Sequence, residues 1–351
     1  MSSAALQHVV MLSWVTSLAA LFVAVARVPL RSTLGARAAY LLWLAVPASA
    51  LALALPHSYP ASGNAAAGAP DILGRVWARA DALFAAIRAI HVSGQAGTIA
   101  CAVWLTGAAA ALAFMFLRQR SFARSLGILV PSTDGTWRGR GVVEPMLLGA
   151  LRPRVLVPLD FEQRYSAQER EFVLAHERAH MRRGDTVANA LGAAWLCFFW
   201  FNPVMFWALR LLRFDQDLAC DAAVLAAAGR SCRGRYAEAL LKAQLAGEGV
   251  FPVPLACHWR SVHPLRRRIA ALKRPVMGRV RNGIGILCVT TIVASVSLGV
   301  HAAQPAFSAP PAAAPHDGSP ANGAAGAHPA GKVCPLALRR ARESHQIRPR
   351  G

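Results

Sequence analysis

Acidic side chains are scarce, with 17 Asp and Glu against 38 Lys and Arg in 351 residues. Charge of either sign is also thin, at 16% of the chain against 55% hydrophobic residues, which excludes a disordered protein and argues against a wholly soluble one. The seven cysteines form no CxxC pair, so neither a disulfide framework nor a zinc ribbon is indicated, and they read as small buried hydrophobes. A helix-turn-helix pattern and an interleaving of aromatic with basic residues are missing too. Despite a formal charge of +21, direct binding of nucleic acid is therefore not expected.

What the chain does have is long charge-free runs. A helix needs about 20 apolar residues to cross a bilayer, and four runs qualify, at 8–26, 38–56, 97–117 and 283–303. The first reads as a retained helix rather than a signal peptide, because MSSAALQH carries no positive side chain and the apolar run is long. Arg27, Arg31 and Arg37 lie between the first two runs, Arg118, Arg120 and Arg124 follow the third, and Lys273, Arg274, Arg279 and Arg281 precede or open the fourth. All three clusters fall on the cytoplasmic side if both termini are outside. The expectation is a mainly α membrane protein with four transmembrane helices, an outside loop at 57–96 that includes an amphipathic stretch, and a cytoplasmic segment at 118–282. That segment holds 26 of the basic residues and 13 of the acids, so topology explains most of the positive charge. The Ala/Pro-rich end, 304–351, reads as a flexible outside tail.

Within 118–282, Ser166 and Glu169 have the spacing of a capping box, and the helix they predict runs through REFVLAHERAHMRR to Gly184. His176 and His180 then lie one turn apart on one face, the placement two zinc ligands need, and Glu177 stands beside them as a candidate general base. A third ligand is sought downstream. Asp217 and Asp221 are spaced i, i+4 on a helix expected to end at Gly229, so one can ligate the metal while the other orients a histidine; Asp185 is a further orienting candidate. Tyr236, His258 and His263 are candidates for stabilising a developing oxyanion. Arg178, Arg182 and Arg183, on the same helix as the histidines, read as a solvated face that could also meet acidic substrate or lipid phosphate.

A fifth apolar run, 186–209, separates the histidines from the two acids. A single crossing there would put His176 and Asp217 on opposite sides of the membrane. Asn202 and Pro203 interrupt the run near its middle and leave halves too short to span, so a re-entrant hydrophobic hairpin is expected.

The motifs GALRPRVLVP (149–158), VLAHERAHMRRGD (173–185), FWFNPVMFW (199–207) and RFDQDLACDAAVL (213–225), with weaker echoes in RYAEALL and HPLRRRIAAL, resemble the BlaR/MecR-type antirepressor metallopeptidases. The resemblance implies an α+β zincin-like peptidase domain inserted between transmembrane helices 3 and 4, in a bacterial inner membrane. It implies Zn2+ as cofactor, His176, His180 and the acid at 217 as ligands, and Glu177 as catalytic base. Asp217 departs from the glutamate usual there, which leaves Asp221 as an alternative ligand. GALRPRVLVP reads as an edge strand, and in similar peptidases such a strand pairs with extended substrate, here through Leu151, Val155 and Val157. The chain shows no SxxK motif, so a beta-lactam receptor carrying a penicillin-binding sensor domain is not expected. The implied substrate is a protein, a transcriptional repressor or the chain itself, and a homodimer is compatible with this. The alternatives are a quality-control peptidase of membrane proteins and a catalytically silent metal-binding receptor or scaffold.

Overall fold

The computed structural model describes residues 2–55, 82, 85–86, 94–246, 256–258, 265–274 and 277–302. Apart from 82, 85–86 and 94–96, the outside loop 57–96 with its amphipathic stretch lies outside the described residues, as do the tail from 303 onward and His263.

Among the described residues, four helical segments are long and apolar enough to cross a membrane: Ala5–Thr33, Ala36–Ala54, Gly94–Ser125 and Val280–His301. The first belongs to α1 (Ser2–Thr33). The second is two helices, α2 (Ala36–Leu41) and α3 (Ala45–Ala54), joined by a single 3-10 turn at Leu42–Leu44. The third is α4 (Gly94–Ser125). Gly35 makes the tight link between α1 and α2: its φ is +97°, and a Cβ there would stand 3.0 Å from the Met277 side chain.

Between the third and fourth spans the chain builds a five-stranded sheet in the order β1-β2-β4-β3-β5. The strands are β1 (Val130–Pro131), β2 (Trp137–Arg138), β3 (Met146–Leu148), β4 (Arg154–Val157) and β5 (Ala256–His258). β4 pairs antiparallel with β3 and parallel with β2, so it is an interior strand. This corrects the expectation of a substrate-binding edge. Val155 and Val157 are core residues, and Leu151 precedes the strand at 92% exposure.

Six helices follow β4: α5 (Phe161–Arg164), α6 (Ala167–Arg183), α7 (Asp185–Phe198), α8 (Pro203–Ala228), α9 (Arg233–Ala246) and α10 (Leu265–Leu272), before α11 (Arg279–Ala302). The capping box at the start of α6 is complete: Ser166 Oγ accepts the Glu169 N–H, and the Glu169 carboxylate accepts the Ser166 N–H at 2.8 Å. The fifth apolar run is a helical hairpin. Asn202 caps α8 with its side chain, Pro203 takes the first helical turn, where its missing N–H costs nothing, and Asn202 Nδ2 donates to Ser13 and Ser17 of α1.

Two cores explain how these elements hold together. One joins the sheet to α6, α8, α9 and α10 through Leu147, Val157, Phe172, Val224, Tyr236 and Leu240. The other joins α1 and α2 to α7 and α8 through Val23, Leu42, Leu196, Phe199, Met205 and Leu211. The single helix α8 thus has its first half in the core shared with the membrane-length helices and its second half in the core beneath the sheet. Asp215, Asp217 and Asp221 lie where the two meet.

Candidate metal centre

Helix α6 carries His176, Glu177 and His180, all essentially without solvent exposure. The two imidazoles point their Nε2 atoms at one another, 3.2 Å apart. Across from them on α8, Asp217 Oδ1 stands 3.6 Å from His180 Nε2. Ligands held about 2.0–2.2 Å from a tetrahedral dication lie about 3.4 Å from each other, so His180 stands at a neighbouring-ligand separation from both His176 and Asp217. The donor chemistry fits as well, since two imidazoles and a carboxylate are a zinc-type set. A second combination is also close: ligand atoms of His176, His180 and Cys220 lie within 4.8 Å of one another. Cys220 Sγ already takes the guanidinium of Arg183 at 3.0 Å, and burial raises its thiol well above its ordinary pKa.

The other nitrogen of each ring is held by a carboxylate. His176 Nδ1 lies 3.1 Å from the Tyr236 hydroxyl oxygen and 3.2 Å from Asp221 Oδ1, which itself accepts the Tyr236 hydroxyl at 2.7 Å and Arg268 Nη2 at 2.6 Å. His180 Nδ1 lies 2.6 Å from Asp185 Oδ2. An ionised carboxylate can only accept, so each Nδ1 must be the donor, which leaves both Nε2 lone pairs directed inward. Burial alone would raise both carboxyls. Arg268 and His176 nevertheless hold Asp221 far below the usual carboxylate range, and His180 and Arg183 do the same for Asp185. Burial pushes His176 down to about 3, so this imidazole is neutral, the form that binds a metal.

Gly184 explains how Asp185 reaches back to the ring. It ends α6 in the left-handed region, φ +70°, and opens α7 directly, folding the next residue under His180. Glu177, on the same helix as both histidines, is fully buried with no cation paired to it among the described residues. Neither carboxylate oxygen has a partner in good hydrogen-bond geometry. Burial, and then Asp217 and Glu144, raise its pKa well above the ordinary value, while the approaching Leu147 N–H of β3 opposes this weakly. A dication beside it reverses that balance.

Several residues that sequence reasoning passed over complete the surroundings. Asp215, fully buried, accepts Arg27 Nη1 at 3.0 Å and Trp43 Nε1 at 2.8 Å, with Arg31 at 3.4 Å, and so ties α1 and the 3-10 turn to the helix that carries Asp217. The Tyr40 hydroxyl of α2 donates to Asp185 Oδ1 at 2.9 Å. The available signal was Arg27, a costly charge at the end of an apolar run, which reads equally as a topology marker. Tyr236 is fully buried, donating to Asp221 and lying 3.1 Å from His176 Nδ1, and of His258 only its place in β5 is described.

An HExxH helix, a carboxylate helix crossing it and a small sheet, packed against helices of membrane length, define a membrane-associated protein of the metallopeptidase type. Residues 7–272 match the family described as BlaR1 peptidase M56, and the chain belongs to that family. Among curated relatives, the Regulatory protein BlaR1 of Bacillus licheniformis is 30% identical over 101 residues, and the Methicillin resistance mecR1 protein of Staphylococcus aureus is 28% identical over 101. Each alignment covers 29% of this chain and 17% of the relative, so the chain matches about a sixth of the length of these proteins.

Proposed function

We propose that this protein is an integral-membrane zinc endopeptidase of bacterial signal transduction, which cleaves a cytoplasmic repressor, itself, or both. The observation that carries this reading is two imidazole Nε2 atoms 3.2 Å apart, with the Asp217 carboxylate 3.6 Å from the second, on the helix that carries the buried Glu177, whose oxygens lack a partner in good hydrogen-bond geometry. In this reading His176, His180 and Asp217 hold the ion. Asp221 and Asp185 act through the imidazoles, which argues against Asp221 as a ligand. A dication bound there supplies Lewis acidity, polarising a peptide carbonyl and lowering the pKa of a nearby water. Glu177 takes the proton from the attacking water and returns it to the departing amine. The basic clusters at the ends of the spans support a peptidase segment facing the cytoplasm between the third and fourth helices, with both termini outside. The bacterial relatives support the bacterial inner membrane as its site, and the name Regulatory protein BlaR1 suggests a regulatory role.

Self-cleavage has its own support. β5, a segment of the same chain, lies antiparallel along β3 with Cys257 opposite Leu147, the residue whose N–H approaches Glu177. A peptide added to a sheet edge binds through its backbone and so without strict sequence demand. The alternative third ligand, Cys220, is favoured by its proximity to both histidines and would suit a silent metal-binding receptor. The test is to purify the full chain in detergent as wild type and as Glu177→Gln, and to follow casein hydrolysis and self-cleavage by mass spectrometry. The reading expects hydrolysis in the wild type, about 10²–10⁴-fold slower in the variant, with bound metal equal in both. Equal hydrolysis by the two proteins would overturn it.

A further inference from the structure

Below the metal centre, the ends of α1, α2 and α6, the flank of α8 and the approach to α11 enclose a cavity of about 530 Å³. Arg31, Arg37, Arg182, Arg183 and Arg274 line it, and the acid among the lining residues is Asp221, which is already neutralised by Arg268. Arg183 is committed to Asp185, and Arg31 leans on Asp215. Arg37, Arg182 and Arg274 are exposed and, among the described residues, no carboxylate pairs with them. Three uncompensated guanidiniums beside two paired ones leave this concave space positively charged, and their planar forks suit the oxygens of a phosphate.

The position narrows the class of anion. The cavity sits where three membrane-length helices have neighbouring ends: Arg281 Nε donates to Thr33 O at 2.6 Å, and a Cβ on Gly285 would stand 3.3 Å from Ala38 and Leu34. Met277 and Asn282 line its rim, and from that rim Val280, Ile284 and Leu287 form an exposed apolar stripe along α11 at i, i+4 and i+7. Phosphate-binding arginines at the mouth of an apolar stripe match a headgroup with its acyl chains. The remaining walls, among them Leu218, Leu225 and Leu272, are apolar, as expected of a pocket for an amphiphile.

We infer that this cavity is a binding site for the phosphate headgroup of an anionic phospholipid, set against the helices that form the metal centre. The site does not depend on the metal or on peptidase activity. The test is native mass spectrometry of the full chain released from mixed micelles of phosphatidylglycerol and phosphatidylcholine. Wild type should retain phosphatidylglycerol in preference. The Arg37→Gln/Arg182→Gln/Arg274→Gln protein should lose about a hundredfold of that preference, near fivefold for each arginine. A matched control, Arg118→Gln/Arg120→Gln/Arg124→Gln at the far end of α4, should leave it unchanged. Equal loss in the control would reduce the effect to general surface charge and overturn the site, as would full retention in the pocket variant. Displacement by millimolar inorganic phosphate alone would assign the pocket to free phosphate and overturn the lipid. Unfolding of the triple variant, read from its circular dichroism, moves the test to Arg182→Gln, an exposed residue, with a fivefold loss expected and no loss contradicting the inference.

Discussion

The two histidines of α6 are chemically alike and are held from opposite sides. His176 is fixed by Asp221, Tyr236 and Arg268, all carried by elements of the core beneath the sheet. His180 is fixed by Asp185, which is itself held by Arg183 and by Tyr40 of the second membrane-length helix. One half of the centre therefore answers to the soluble-type core and the other to the membrane-length helices. Asp215 strengthens the second connection, because its partners Arg27, Arg31 and Trp43 come from those helices while it sits two residues from Asp217. A displacement of α1 or α2 reaches His180 through Tyr40 and Asp185, and reaches Asp217 through Asp215, by direct hydrogen bonds, whereas the partners of His176 make theirs within the core beneath the sheet.

The strongest way to break this asymmetry is to remove Asp215. Asp215→Ala leaves the guanidinium of Arg27 buried without its partner, and the expected cost is about 3–5 kcal/mol of stability, read as a lowered melting temperature in detergent. Unchanged melting would show that α1 does not depend on this link. Next in size, Asp221→Asn and Asp185→Asn should each weaken metal binding about 10–100-fold, measured by competition with a chelator. A smaller contrast sharpens the comparison. Tyr40→Phe and Tyr236→Phe each delete one hydrogen bond to an orienting carboxylate, worth about 1 kcal/mol, and the second also removes the hydroxyl 3.1 Å from His176 Nδ1. The prediction is that only Tyr40→Phe makes metal affinity insensitive to the lipid or detergent around the membrane helices. Equal sensitivity in both variants would contradict the division.

The smallest effect concerns the start of α6. Ser166→Ala should cost about 1 kcal/mol by removing a cap. Glu169, the other half of the box, has its pKa lowered: burial opposes this, but Lys242 Nζ at 2.6 Å and the Ser166 N–H outweigh it. A depressed carboxylate contributes stability that is present above its unfolded pKa and is lost as pH falls through the folded value. Acid melting below the ordinary glutamate range should therefore be shallower in Glu169→Gln than in the wild type.

What could be read in the sequence was local. HERAH, its capping box, the stop at Gly184 and the break at Asn202 and Pro203 are each set by residues within a turn or two, and all four appear in the structure as expected. The i, i+4 spacing of Asp217 and Asp221 located the crossing helix, though not which acid faces which ring nitrogen, since that depends on the rotation of α8 against α6. The edge reading of GALRPRVLVP failed because pairing is a long-range property: β2, contributed by residues 137–138, covers the side that Pro153 and Pro158 suggested was open. The Arg27–Asp215 pair spans 188 positions, and the charge at the end of an apolar run that marks Arg27 does not say which acid meets it.

The most direct test of the centre itself is metal content by mass spectrometry of the detergent-purified wild type beside His176→Ala, Asp217→Ala and Cys220→Ala. The account predicts about one zinc per chain in the wild type and in Cys220→Ala, with loss in His176→Ala and Asp217→Ala. Zinc kept by Asp217→Ala and lost from Cys220→Ala would contradict it and move the third ligand to the thiol.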